Sequence, residues 1–249
     1  MPQSLPILSQ FTGILLFIGA LVPFLVMRRL LYVELLRLLY GFTRDLLTAH
    51  KVHFLLVFPG VLLHELSHFL AFRLMGVHCR LHLGVKMQGN TAVYGSVEFY
   101  ESDVSAFKHF ISGIAPLVTG LIAISLLSIY LMGLPSINSL AAGEADIQLA
   151  AIWQNAKTFW FWLALYLTFA VSSEMVPSPS DRRYWIHLGV ILVVLILIAV
   201  LTQTTQWLLA NLYPYVDGLL RLVGVTFLIS LVPQFLAWIP IRIINWLRA

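Results

Sequence analysis

Apolar runs of about 20 residues, separated by short polar stretches, divide this chain from end to end. A helix of that length crosses the hydrocarbon core of a bilayer, where the backbone must satisfy its own hydrogen bonds. Hydrophobic residues make up 60% of the 249 positions and charged residues 10%, whereas a soluble domain carries about 25% charged residues. The runs therefore predict an all-α polytopic membrane protein.

The pattern predicts seven transmembrane helices and one small β-hairpin. We expect spans over residues 7–27, 30–48, 52–75, 104–132, 152–174, 186–207 and 219–239. The hairpin is expected within residues 77–101, where polar and apolar residues alternate. The span over residues 30–48 is ambiguous, because it is interrupted by Glu34, Arg37, Arg44 and Asp45. The alternative is a helix in the membrane interface.

We predict a single transmembrane domain over residues 1–249. It divides into N-terminal helices (1–51), a core (52–185) and C-terminal helices (186–249). The net charge of +4 comes without a dense basic stripe, so nucleic acid is not an expected partner. Cys79 is the only cysteine, which excludes an intrachain disulfide.

The third apolar run contains His64-Glu65-Leu66-Ser67-His68. On a helix, His64 and His68 lie about one turn apart and project from one face, so both imidazoles can bind one Zn²⁺. Glu65 lies beside the first of them and can act as a general base. This H-E-x-x-H pattern predicts a zinc hydrolase. The structural alternative is a pair of core histidines hydrogen-bonded to the glutamate.

A catalytic zinc needs a third protein ligand, and three acidic residues are candidates. Glu174, Asp181 and Asp217 each lie near a predicted helix end, beside a loop that contains proline. Asp181 is alternatively a helix N-cap, a frequent role for aspartate after a loop. Glu174 can instead support a ligand or pair with Arg182 or Arg183. The motif alone leaves the third ligand open.

Topology favours Asp181 over Asp217. Loops rich in Lys and Arg stay in the cytoplasm, so Arg182 and Arg183 keep the Asp181 loop on that side. If the chain has seven spans, the histidine pair lies toward the same leaflet and Asp217 toward the other. If residues 30–48 are interfacial, the zinc helix can run the other way and Asp217 is the better ligand.

These motifs resemble the site-2 protease family of intramembrane zinc metalloproteases. The resemblance is carried by H-E-x-x-H in an apolar helix, the hairpin after it, the small-residue stretch 112–116 and the loop Pro177-Ser178-Pro179-Ser180-Asp181. That loop is similar to a shortened form of the family motif Asn-Pro-x-Pro-x-Leu-Asp-Gly, whose aspartate binds zinc, and it lacks the asparagine, leucine and glycine. Residues 211–218 keep the asparagine, second proline, aspartate and glycine. The resemblance covers residues 52–185.

The resemblance implies a zinc-dependent intramembrane endopeptidase, with Zn²⁺ held by His64, His68 and Asp181 and with Glu65 as the catalytic residue. Its partners would be the lipid bilayer and a transmembrane or membrane-proximal protein substrate. An open hairpin edge can receive an extended segment by strand addition, although a hairpin that only connects two helices is equally compatible with the pattern. The expected location is the plasma membrane of a prokaryote, with the site toward the cytoplasm.

Other functions are compatible with parts of the pattern. A catalytically inactive zinc-binding membrane subunit or scaffold is the main alternative, because the second motif is divergent. A transporter that uses the histidines and glutamate as a relay lacks the support of an inverted repeat. A prenyl-protein processing protease fits the Pro-x-Pro-x-Asp loop less well.

Overall fold

The computed structural model describes residues 12–89, 91–100, 102, 104–142, 148–183 and 185–248. Residues 7–11, 90 and 101 of the predicted elements lie outside these ranges. The helices are α1 (Thr12–Thr43), α2 (Leu46–Leu74), α3 (Ala106–Tyr130), α4 (Ile137–Ala142), α5 (Leu149–Asn155), α6 (Phe159–Glu174), α7 (Trp185–Leu201), α8 (Thr205–Asn211) and α9 (Tyr213–Leu247). Strands β1 (Cys79–Gln88) and β2 (Thr91–Phe99) pair antiparallel between α2 and α3. The helical class and the hairpin are both confirmed.

The number of candidate spans is lower than predicted. Among the described residues, α1, α2, α3 and α9 are long and apolar enough to cross a membrane. Helices α7 and α8, which replace the predicted span over 186–207, count as a fifth span only if taken together across a bend of 115°. The expected seven spans are therefore not confirmed.

The first two predicted spans form one helix, because α1 continues through Arg28 and Arg29 without a break. The polar side chains along it find partners on other helices. Arg28 Nε donates to a carbonyl oxygen of α6 at 2.5 Å. The buried Glu34 accepts from Arg242 of α9 at 2.5 Å and from Asn245 at 2.7 Å. Arg28, expected just after the end of the first span, and Glu34, expected to interrupt the second, thus bind α1 to its neighbours.

Two further segments differ from the prediction. The predicted span over 152–174 is divided at residues 156–158, where Thr158 caps α6. Most of residues 211–218, predicted as a broken loop, are helical. Pro214 lies in the first turn of α9, where its missing N–H leaves no hydrogen bond unmade.

A core of apolar side chains joins α1, α3, α6 and α9. Phe24 of α1 stacks on Phe227 of α9 with ring centroids 4.7 Å apart, and Ile124 and Val171 add to the same cluster. Helix α2 packs between α3 and α6. The hairpin contacts the end of α2 through a second cluster around Phe72. This packing brings the H-E-x-x-H motif of α2 close to α3, α6 and the hairpin.

Candidate metal centre

The two motif histidines and Asp181 lie close together. The Nε2 atoms of His64 and His68 are 3.1 Å apart. The carboxylate of Asp181 approaches both rings, with Oδ2 3.7 Å from His64 Nε2 and Oδ1 3.4 Å from His68 Nε2. These donor atoms all lie within 4.8 Å of one another. One helix and a loop more than a hundred positions later therefore meet at a single point.

Each ring is held by the nitrogen that is not shared in this cluster. His64 Nδ1 lies 2.7 Å from the carbonyl oxygen of Glu174. A carbonyl oxygen only accepts, so Nδ1 carries the hydrogen and Nε2 keeps a lone pair. His68 Nδ1 lies 3.1 Å from Ser112 Oγ on α3, and a hydroxyl can accept in the same way. Both rings can therefore present a free Nε2 toward Asp181.

The loop after α6 presents Asp181 through bonds to its own backbone. Ser178 N donates to Asp181 Oδ2 at 2.7 Å, and Asp181 N donates to Ser178 Oγ at 3.3 Å. Burial alone would raise the pKa of Asp181, but its contacts with His68 and Ser178 hold the pKa below the ordinary value. The carboxylate is thus ionised at neutral pH. Residues 182 and 183 form a turn, and the described part of α7 begins at Trp185, so Asp181 is not its N-cap.

Gly113 allows α3 to approach this loop. A Cβ atom at that position would overlap the backbone carbonyl oxygen of Asp181. The neighbouring Ser112 is the residue that contacts His68. The small residues that the sequence suggested for helix packing therefore lie directly against the cluster.

The cluster has the size and chemistry of a zinc ligand set. Zinc–nitrogen bonds of about 2.0–2.1 Å in tetrahedral geometry separate ligand atoms by roughly 3.3 Å. The separations of 3.1, 3.4 and 3.7 Å lie on both sides of that value. An imidazole N–H donated to a backbone carbonyl, as from His64, is the usual support of a ligating histidine. The residues present therefore fit Zn²⁺.

Glu65 lies beside the cluster, against strand β2. A Cβ atom at Gly95 would lie 2.5 Å from Glu65 Cγ and 2.9 Å from its Oε1, so only glycine leaves room for the acid there. Glu65 is half-buried and borders a cavity of about 1190 Å³ that also borders His64 and His68. The Nδ1 atoms of His64 and His68 contact the carbonyl oxygen of Glu174 and the hydroxyl of Ser112, whereas the structural alternative pairs the histidines with Glu65.

Tyr94 holds β2 against the helices, and no motif in the sequence pointed to it. His50 Nδ1 lies 3.0 Å from the Tyr94 hydroxyl, and the His53 ring stacks on the Tyr94 ring with centroids 5.4 Å apart. Tyr32 of α1 packs edge-on against His53 at 5.2 Å. Burial raises the pKa of Tyr94, so its phenol stays neutral. Two histidines three residues apart on the motif helix were the available signal.

Glu174 was a candidate ligand through its carboxylate, but the atom that it contributes to the cluster is its backbone carbonyl oxygen. Its carbonyl oxygen binds His64, and its carboxylate lies within electrostatic range of Arg28 and Glu65. The cationic neighbour is thus Arg28, whereas the sequence suggested Arg182 or Arg183.

Asp217 is engaged elsewhere. Its carboxylate accepts from Gly13 N at 2.8 Å, from the Tyr213 hydroxyl at 3.0 Å and from Arg221 Nε at 2.7 Å. These bonds join the start of α9 to the start of α1. Of the two aspartates considered as third ligand, the structure brings Asp181 to the histidines. No family model, curated protein or solved structure matches this chain.

Proposed function

We propose that this protein is a zinc-dependent intramembrane endopeptidase. The observation that carries the proposal is the convergence of His64, His68 and Asp181 on one point, beside Glu65 and within a cavity. Three of the four helices that are long and apolar enough to cross a membrane, α1, α2 and α3, border this cavity. A buried carboxylate and two imidazoles are expensive at such a depth unless they hold a ligand or do chemistry.

His64, His68 and Asp181 would hold the metal. A bound Zn²⁺ would supply a Lewis acid that lowers the pKa of water and polarises a peptide carbonyl. The hydrogen bonds from His64 to Glu174 and from His68 to Ser112 orient the rings before any metal arrives. That orientation favours binding because little side-chain freedom remains to be lost.

Glu65 would move the proton. Its carboxylate would accept a proton from the attacking water and deliver it to the nitrogen of the leaving amine. Its position next to His64 in sequence and against Gly95 in space keeps the carboxylate at the border of the cavity. The half-buried surroundings limit exchange of that proton with bulk water.

The lining of the cavity supports a proposal for the substrate class. Several residues of β2 border it, among them Tyr94, Gly95 and Ser96, so an extended peptide can lie along the strand. A peptide bond inside a helix is protected by its backbone hydrogen bonds, and strand addition would supply replacements after local unfolding. We therefore propose a transmembrane or membrane-proximal protein segment as substrate.

The distribution of arginines supports a proposal for the side of the membrane on which the cavity opens. Arg28, Arg29, Arg182 and Arg183 all border the cavity. Segments rich in arginine remain on the cytoplasmic side. We propose that the site opens toward the cytoplasm of a prokaryotic cell, in its plasma membrane.

An inactive zinc-binding membrane subunit or scaffold is the second candidate. The contact between Gly95 and Glu65 favours it, because β2 covers part of the acid that would do the chemistry. The divergent loop over residues 177–181 points the same way. A scaffold of this kind would bind zinc and substrate-like segments without cleaving them.

One experiment separates these functions. The purified protein is reconstituted in lipid vesicles with single-span reporter peptides, and zinc content and cleavage are measured together. Peptidase function predicts stoichiometric zinc, cleavage, loss of cleavage with a chelator and recovery with added zinc. Stoichiometric zinc with no cleavage of any unfolded span would support the scaffold. Absence of bound zinc after incubation with the metal would refute both.

A further inference from the structure

We propose that the cavity selects substrate segments that carry acidic side chains next to the cleaved bond, an inference that rests on the proposed peptidase function. Arg28 and Arg29 of α1 border the cavity, and so do Arg182 and Arg183 of the loop after α6. The whole chain has 15 lysines and arginines. Four of them on one cavity therefore form a basic cluster, which we call the arginine mouth.

The charges around the cavity do not balance. The acidic residues that border it are Glu65, Glu174 and Asp181, so four positive charges face three negative ones. A bound divalent cation would add two more positive charges to that side. A cleft with one sign of charge and low-dielectric walls concentrates ligands of the opposite sign.

Two arginines of the mouth, on separate elements, lie close enough for their charges to interact. Arg28 and Arg182 lie within electrostatic range of one another, although they belong to α1 and to the loop after α6. Like charges repel, and the Glu174 carboxylate, which attracts Arg28 more strongly than Arg182 repels it, already offsets part of that repulsion. A substrate carboxylate would offset the rest at Arg182. The Arg28 bond to the carbonyl oxygen of Ser173 uses Nε. The Nη groups are those that bind a carboxylate side by side.

A peptide fits the mouth better than a lipid headgroup does. The arginines border the same cavity as Glu65 and the residues of β2, where an extended segment would lie. Arg28 is half-buried beside the α6 backbone, away from the exposed surface where headgroups bind, whereas Arg29, Arg182 and Arg183 are exposed. Aspartate or glutamate side chains on the substrate would therefore meet the arginines while the backbone meets Glu65.

The test measures binding without cleavage. The Glu65→Gln protein is reconstituted in phosphatidylcholine vesicles and titrated with a fluorescent single-span peptide flanked by glutamates, or by glutamines in the same number. We expect the glutamate peptide to bind about tenfold more tightly, with a preference that weakens as salt is added. In the triple variant Arg29→Gln, Arg182→Gln, Arg183→Gln, the two peptides should bind equally.

A matched triple variant provides the control. Arg44→Gln, Lys51→Gln and Arg80→Gln remove the same charge from exposed positions that do not border the cavity. This control should keep the full preference, and the single variant Arg29→Gln should lose part of it if the triple variant does not fold. Equal loss in both triple variants would overturn the proposal.

Lipid binding is a separate outcome. The Glu65→Gln parent protein, the triple variant of Arg29, Arg182 and Arg183, and the control triple variant are compared in vesicles that contain phosphatidylserine. If anionic lipid abolishes the glutamate preference of the parent protein, the arginines bind headgroups and the proposal fails. If the glutamate preference holds but the wild-type protein cleaves nothing, the mouth is confirmed while the peptidase function is refuted.

Discussion

His64 Nδ1 donates a hydrogen bond to the backbone carbonyl oxygen of Glu174, 2.7 Å away on the neighbouring helix. This bond has two consequences. It leaves the lone pair on Nε2, the nitrogen that faces Asp181. It also ties α2 to the last residue of α6, from which the loop to Asp181 departs. One contact therefore orients one donor atom and anchors the segment that carries another.

The third ligand is tested by exchanging each aspartate for asparagine. Asp181→Asn should weaken zinc binding more than about 100-fold, since even the groups that support a ligand contribute about 10–100-fold. Asp217→Asn should keep zinc but lower stability by about 2 kcal/mol, because it weakens charged bonds to Gly13 and Arg221. Metal analysis after dialysis and thermal unfolding give both values. Loss of zinc in Asp217→Asn, with zinc retained in Asp181→Asn, would contradict the proposed site.

Glu65→Gln should abolish turnover and spare the metal. The amide has nearly the same shape as the carboxylate but cannot accept the proton, so the rate should fall by about 100-fold to 10,000-fold. Reporter cleavage and zinc content are measured on the same preparation. Ser67→Ala, in the same motif, removes only a hydroxyl bonded to Leu63 and Thr119, and it should retain activity. Unchanged cleavage by the glutamine variant would remove Glu65 from the mechanism.

Gly95→Ala should displace the Glu65 carboxyl group without unfolding the chain. The new Cβ atom would lie 2.5 Å from Glu65 Cγ, and a side chain moves more easily than backbone. A shift of about 1 Å in a catalytic group can lower the rate about 100-fold. Cleavage should fall while zinc content and melting temperature are kept. The control is Gly189→Ala, where nothing lies within 4 Å, and equal loss in both variants would refute this role.

Tyr94→Phe should loosen the hairpin. It removes the hydroxyl that lies 3.0 Å from His50 Nδ1, a bond with a net contribution of about 1 kcal/mol. We expect faster hydrogen exchange at the amides of β2 and unchanged exchange in α3. Tyr100→Phe is the matched control, because its side chain is exposed just beyond the strand. Equal protection of the β2 amides from exchange in Tyr94→Phe and Tyr100→Phe would show that the Tyr94 hydroxyl does not hold the strand.

Some features followed from local sequence because they depend on neighbouring residues. The spacing of His64 and His68 puts both rings on one helix face whatever surrounds the helix. The alternation within residues 77–101 likewise indicated the hairpin, and both strands form there. The boundaries of α1 did not follow in this way. Arg28 and Glu34 resemble span-ending residues until their partners on α6 and α9 are known.

The amino-acid sequence by itself determined the helical membrane class, the histidine pair with its adjacent acid, and a short set of candidate third ligands. Only the tertiary structure decided that Asp181 meets the histidines, that Glu174 offers its carbonyl oxygen, and that Gly95 lies against Glu65. The physical reason is the distance along the chain over which the deciding contacts act. Helical periodicity is set by contacts within one turn, whereas these three contacts join segments that meet only when α2, α3, α6 and the hairpin pack together.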